Sequence, residues 1–581
     1  MPGLPRVAHV ALVAGALVAF GGVGCTCKKQ KTEEAKKDDK PSKKSPLLEV
    51  PAPDDLLNEI DLKDPDAFVK RAADGAGFGK EVGSSPYETL LGEAKDENAK
   101  KVLKAIDPHG ALVFVAIGDV AKAIKDEKFE DNFHAIGAAR LKDTELADTA
   151  LAAAAKAGKL KSKASKALGA PIYEPTGAKG GAIAVIGDQI VAADAAEVID
   201  RVGKYVAARA AKVDTQQHDL EARILTERLS KPSVKYLDGL WTKYKGEIPG
   251  KAQIEADKVV EGLLAGLGDM GEVTFTADVK GEDVLFTEKV TAKGTFSKWL
   301  AAYPTVDAKS LLSMPKGQGV AVAGWPDGLG PVIYEGVDEA MKAEKVPAAD
   351  AADVSKNVRA LGAALGHELA YTTATRGVSP GAASADTEIF ARVELTDAAS
   401  AKAALAGLSK PARKSIASLK AKTTPYKKAG AEGETWTIAD TLKPSIVTYA
   451  IKGSYLYLDA CFGCTPTILD GVLDGKDLLE TDATAKAKVA TYPSKGLVSA
   501  SYGDADSYGR LLGSILGGLS TPTPSGSTWG YAIASADALE GRAGMPLAVI
   551  GGIVRVVMTG VARAGGLGGA GLAPPPPGMD E

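Results

Sequence analysis

The sequence predicts an α+β fold of two pseudo-repeated halves, each a mostly antiparallel sheet with helices packed on one face. Three observations lead there. Short runs that alternate apolar and polar residues, the period of a half-wet strand, stand between longer runs of helical period. Two stretches of the chain echo one another at a constant spacing. A chain of 581 residues, 45% hydrophobic and 25% charged, is too long for one core yet ordinary in composition for a folded body.

Residues 1–24 carry one early cation, Arg6, then an apolar run from Val7 to Phe20, then Gly21, Gly22, Val23 and Gly24 ahead of Cys25. This is signal-peptide anatomy, and the apolar run is shorter than the roughly 20 residues a helix needs to cross a bilayer. Gly22-Val23-Gly24-Cys25 resembles the lipobox of bacterial lipoproteins, whose cysteine thiol takes a diacylglyceryl group before cleavage and whose new amine is then acylated; the family usually has Leu where Gly22 stands. The resemblance implies lipidation of Cys25, attachment to a membrane through that lipid anchor, and a place in the bacterial cell envelope. Thr26, where Asp would mark retention at the inner membrane, points by the same resemblance to the outer membrane. An ordinary signal peptide followed by a free cysteine is the plainer alternative. Residues 25–49 read as a tether, because Lys28–Ser45 has no large apolar side chain and cannot build a core.

The body divides into a first half, 50–270, and a second, 271–525. Leu141, Asp143 and Leu151 match Leu395, Asp397 and Leu405, each set a strand running into a helix. Ile186 to Asp194 matches Ile451 to Asp459, hairpins whose turns hold Gly187-Asp188 and Lys452-Gly453 between apolar runs. Leu112-Val113 leading to Gly118-Asp119 matches Leu497-Val498 leading to Gly503-Asp504, with Val320 to Gly324 a looser third version. Val273–Val279 and Val284–Val290 alternate about a Lys-Gly-Glu-Asp turn, and Glu368–Arg376 faces Thr387–Leu395 across a Gly/Pro/Ser loop; both predict antiparallel hairpins. Helical periods run from about Ala195 to Leu229 and from Gln253 to Leu267. Residues 526–581 hold an apolar element, Leu547–Val561, broken by Arg555, and a Pro/Gly-rich tail. As a whole, Leu112 to Leu516 resembles uncharacterised bacterial exported proteins of domain-of-unknown-function families, with repeated strand-helix-hairpin units behind a lipoprotein signal. That resemblance implies architecture and no catalytic motif.

A net charge of -4 and the lack of a basic stripe argue against a nucleic-acid partner. Cys461-Phe462-Gly463-Cys464 is the sharpest local motif. In an oxidising compartment a structural disulfide is the default; a redox pair, with a thiol activated at a helix N-terminus, is the alternative. The first half has no counterpart, so the cysteines fall in an insertion of one repeat. Cys27 is left without a partner. His109, His134, His218 and His367 show no ligand spacing, and neither a metal nor a cofactor is expected. Gly377-Val378-Ser379-Pro380-Gly381 has the form of a nucleophile elbow, but Pro380 has no N–H to build an oxyanion hole, so it reads as a hairpin loop. Gly75 to Lys80 lacks the Walker ending and reads as a helix stop. Asp504 and Asp506, a conceivable calcium pair, read as a turn or cap. The expected role is a non-enzymatic binding or scaffold protein with an envelope protein or ligand as partner. The alternatives are a thiol-disulfide enzyme using Cys461 and Cys464, and a hydrolase whose site has no local motif.

Overall fold

The computed structural model describes residues 50–549 apart from 76–86, 88–90, 93, 95, 127–131, 177–180, 214–215, 248–249, 317–318, 326–328, 344, 378–385, 419–421, 439–444, 506–525 and 548. In the first part of the chain the strands are β1 (Leu56–Leu62), β2 (Leu112–Gly118), β3 (Phe133–Arg140), β4 (Leu160–Ala164), β5 (Pro171–Pro175), β6 (Ala182–Ile186), β7 (Gln189–Ala193), β8 (Leu220–Leu225), β9 (Met270–Lys280) and β10 (Asp283–Ala292). There follow β11 (Val320–Gly324), β12 (Leu365–Gly377), β13 (Asp386–Leu395), β14 (Lys422–Lys428), β15 (Ala431–Ile438), β16 (Ser445–Lys452), β17 (Tyr455–Phe462), β18 (Leu497–Asp504), β19 (Ser527–Ala534) and β20 (Ala538–Pro546).

All twenty join one sheet, and each pairing between them is antiparallel. Followed from partner to partner, the order is β4-β5-β6-β7-β3-β2-β1-β8-β9-β10 and then β20-β19-β18-β11-β12-β13-β17-β16-β15-β14. The second series is the first with ten added to every strand number, read from the opposite edge. The protein is therefore α+β, built of two units of one topology whose last strands, β10 and β20, pair with each other from Asp283↔Pro546 to Thr291↔Ala538.

The matched residues do the same work in both units. Asp143 accepts from the Leu146 N–H at the start of helix Thr144–Lys156, and Asp397 accepts from Ala399 and Ser400 at the start of helix Ala398–Ser418. The Leu141 N–H donates to the Asp188 carbonyl and the Leu395 N–H to the Ser454 carbonyl, both at 2.8 Å. Gly187 and Gly453 take φ of 64° and 59°, the left-handed conformation that the tight turns before β7 and β17 require.

β2 is equivalent to β12 and β18 to β8, so the likeness of 112–119 to 497–504 is one of composition; both are buried strands that end in Gly-Asp. The seam between units falls after Ala292, because the β9–β10 hairpin pairs with β8.

Helices cover both faces of the sheet, not one. Helix Ala196–Val213 buries Val198, Ile199, Val202 and Val206 against Val113, Val115, Ile136 and Ala184. On the other face helices Glu97–Ala105 and Thr144–Lys156 pack over Ala139, Ile183, Val185 and Ile190. β6, Ala-Ile-Ala-Val-Ile, is buried at all five positions, as a strand with two covered faces must be. In the second unit the first face carries Phe390, Val320, Val322 and Tyr502 under the short helices Ile468–Leu473 and Ala483–Val489. Its other face carries Leu395 and Leu365 under helices Ala348–Ala364 and Ala398–Ser418. A helical pair, Thr226–Tyr244 and Gly250–Gly268, interrupts the first unit between β8 and β9.

Candidate functional site

Directly paired residues share a face, so the registers trace the second face across the strands. Tyr371 pairs with Ala391, which pairs with Leu458; Thr373 pairs with Ile389, which pairs with Ala460; Thr387 pairs with Phe462. On these three strands Tyr371, Ile389, Leu458 and Phe462 are 43, 39, 41 and 48% exposed. The helices above cover Leu395 and stop short of these four, leaving large side chains bare where the strand period demands an inward-facing row.

Beside this patch lies an open trough of about 500 Å³. Its floor crosses β11, β18, β19 and β20 through Ala323, Ser499, Gly530, Ala532, Gly541 and Ala543. Tyr371 bounds one end; Phe275 and Phe286, with ring centroids 5.6 Å apart, bound the other. Small side chains at every floor position put the backbone near the surface, so whatever lies there can approach closely. Phe286 and Ala543 are direct partners across the seam, which shows how the first unit supplies the wall and the second the floor.

The cysteine motif is placed differently from an exchange site. Cys461 and Cys464 are disulfide-bonded, with Cα atoms 5.4 Å apart. Cys461 is 1% exposed at the end of β17, and the next helix starts at Ile468, beyond the motif. That N-terminus is occupied by carboxylates: Glu388 accepts from Thr467 and Ile468, and Asp459 accepts from Leu469 at 2.8 Å. Two buried acids beside the cysteines oppose thiolate formation, so the corner is built to hold a chain reversal.

Sequence reasoning passed over a buried ionic cluster in the first unit. Glu59 and Asp61, alternate residues of β1, are 2% and 1% exposed. Asp61 accepts from Arg209 at 2.6 Å and from Gln216 at 2.8 Å. Glu59 accepts from the Tyr205 hydroxyl and lies 3.6 Å from Arg223, which also pairs with Glu272 at 2.7 Å. Burial pushes both acids above their ordinary carboxylate range, against the pull of Arg209. The second unit has Val320 and Val322 on the equivalent strand. The available signal was the placing of Leu57, Glu59 and Asp61 on one face of a strand whose other residues include Leu56, Ile60 and Leu62.

Cys25 and Cys27 lie outside the described residues. Gly377 ends β12 and Gly75 ends helix Pro65–Gly75, with the rest of each motif outside the description. Asp504 ends β18, and Asp506 is likewise outside. His109, His134 and His218 each meet one carboxylate, Asp64, Asp194 and Asp278, on separate parts of the sheet. Among the described residues no group of three or more His, Cys, Asp or Glu could hold a metal, and no helix is long and apolar enough to cross a membrane.

No family model and no curated protein matches the chain. Two structures of TP0453, crystal forms I and IV, are similar to 41% of this chain and to 74% and 76% of their own, at 7% identity and TM-scores of 0.21 and 0.20.

Proposed function

We propose that this chain is a lipoprotein of the bacterial envelope, anchored in the outer membrane through Cys25, that binds an envelope protein on the open face of its second unit without doing chemistry. The observation that carries the binding role is the patch of Tyr371, Ile389, Leu458 and Phe462. A contiguous set of large apolar side chains held rigidly on a sheet marks an interaction surface, whereas single exposed apolar residues do not. The sheet supplies preorganisation, since none of these side chains needs a backbone movement to meet a partner. Support for the anchor is the sequence alone: the small residues before Cys25 and the charged tether after it.

A photo-crosslinking residue at Phe462, introduced in the native envelope, is expected to trap one protein partner. Leu458→Asp is expected to abolish that product while leaving thermal unfolding unchanged. Crosslinking that survives Leu458→Asp would refute the patch as the docking face. The intact mass of the mature N-terminus tests the anchor: a chain beginning at Met1 and bearing no acyl group overturns it.

A further inference from the structure

We infer that the helical pair Thr226–Tyr244 and Gly250–Gly268 is a lipid-binding surface that lies flat in the headgroup layer of a phospholipid membrane. The inference rests on the proposed anchor in one respect, that the anchor keeps a membrane within reach, and it is separate from the docking patch.

The pair leaves one side bare. Tyr236, Leu237, Tyr244, Leu263 and Leu267 are between 40 and 60% exposed. At about 100° per residue, Leu229, Tyr236, Leu237, Leu240 and Tyr244 fall within one arc of about 100° on the first helix, and Val259, Val260, Leu263 and Leu267 fill a similar arc of the second. No charged residue of either helix falls inside its stripe, and Asp238 and Glu261 stand on the far side. The helices run antiparallel: Glu227 in the first turn of one meets Lys293, beyond the end of the other, at 3.3 Å, and Lys245 meets Asp257 at 3.4 Å. The Trp241 ring N–H donates to Asp257 at 2.7 Å, marking the line along which they touch. Each stripe stands about a quarter-turn from that line, and in an antiparallel pair those two quarter-turns face the same way. The remaining flanks are taken, the first helix packing on β9 and the second on helices Gly294–Ala302 and Leu329–Ala343.

The make-up of the stripe favours lipid. Two tyrosines, eight residues apart along one line, bracket an aliphatic run, and Lys243 at the margin rides over the Tyr244 ring at 5.2 Å. Phenol groups and a lysine whose stem lies along them are the side chains that suit the boundary between headgroups and acyl chains. A charge-free stripe with every charge turned away is the pattern of a helix that lies in that boundary. Among the described residues no helix is long and apolar enough to cross a membrane, so the contact is in the plane.

The path of the chain places a membrane there. Arg228, in the first turn of the same pair, donates to the carbonyls of Pro53 and Leu56 at 3.0 and 2.9 Å, so the stretch leading back to Cys25 meets the body at the foot of these helices. The 25 residues from Cys25 to Glu49 extend at most about 90 Å, and the first helix is about 28 Å long, so a lipid on Cys25 is within reach of the whole stripe.

Residues 25–581 carrying Cys25→Ser, and so without signal or acyl group, test this with vesicles of phosphatidylethanolamine and phosphatidylglycerol. The expected result is co-flotation that Tyr236→Asp with Leu263→Asp lowers several-fold at an unchanged melting temperature, and that Leu458→Asp leaves intact. Tyr236→Trp is expected to add fluorescence that lipids brominated on their acyl chains quench. No flotation, flotation that the double substitution spares, or no added quenching overturns the inference. So does self-association in sedimentation that the double substitution abolishes, which would make the stripe a contact between copies. A native chain found without an acyl group overturns the anchor and leaves these readouts unchanged, whereas their failure leaves both the anchor and the docking face standing.

Discussion

Glu388 and Asp459 show how single residues fix a corner of this fold. Each is fully buried, and between them they accept from the first three backbone N–H groups of the reversal into helix 468–473. Glu388→Ala leaves the Thr467 donor and the buried Ile468 donor without this acceptor and should cost about 1–3 kcal/mol in urea unfolding, whereas Glu388→Gln keeps a carbonyl acceptor and should cost less. Equal losses in the two variants would mean that hydrogen bonding is not what the carboxylate contributes. Glu59 works in the opposite sense. Its folded pKa is raised above 4.5 by burial, so the folded state holds a proton that the unfolded chain has released over the range just above that value. Stability from this group is therefore present at low pH and falls as pH rises through the folded pKa. Glu59→Gln should flatten that fall, giving a denaturation midpoint that changes less than the parent's between the acid and neutral ends of the titration. A parent and variant with parallel profiles would contradict it. The pairing of Cys461 with Cys464 was legible in their two-residue spacing; their two acidic neighbours were not, since Glu388 lies on another strand 73 residues before Cys461.

At the scale of elements, the hairpins β9–β10, β12–β13, β6–β7 and β16–β17 were legible because their residues alternate about a glycine-bearing turn or loop. β8 was not. Its six residues, Leu-Glu-Ala-Arg-Ile-Leu, are all half-buried and join two helices, so their period merges with the helical one. β19 and β20 escaped for a different reason: their glycines and alanines, which make the trough floor, carry little apolar signal. The trough was thus invisible in sequence, being assembled from small residues on four strands spread over 321–543. β15 illustrates what such smallness protects. A Cβ on Gly433 would overlap the Tyr449 carbonyl oxygen of the neighbouring strand, so Gly433→Ala should destabilise by about 1–3 kcal/mol, read from the shift in a urea transition. The two edge strands bear their own safeguard: β4 exposes Lys161 and Lys163, and β14 exposes Lys422, Pro425 and Lys427. Lys161→Val with Lys163→Val should convert a species of fixed mass into larger assemblies by light scattering, and a variant that kept the parent's mass would show that charge is not what guards that edge.

The whole molecule depends on the seam. β10 joins β20 over nine residue pairs, and Phe286 of the first unit pairs with Ala543 of the second there. Thr287, paired with Arg542 at the middle, is the position at which proline would remove a ladder donor and crowd the partner strand. Thr287→Pro should split one cooperative melting transition into two in calorimetry; a single transition would mean that the helices bridging the units suffice to couple them. The ten-strand correspondence also says something about origins. A lone unit would end in β10 with one side unpaired, and a naked strand of that kind welcomes another of the same sequence running the opposite way. Two separate copies would then meet about a twofold axis in the arrangement now held within one chain. Fusing such a pair frees each copy to diverge, and the divergence is visible: one kept acids where the other has valines, and one kept its covering helix where the other opened a groove.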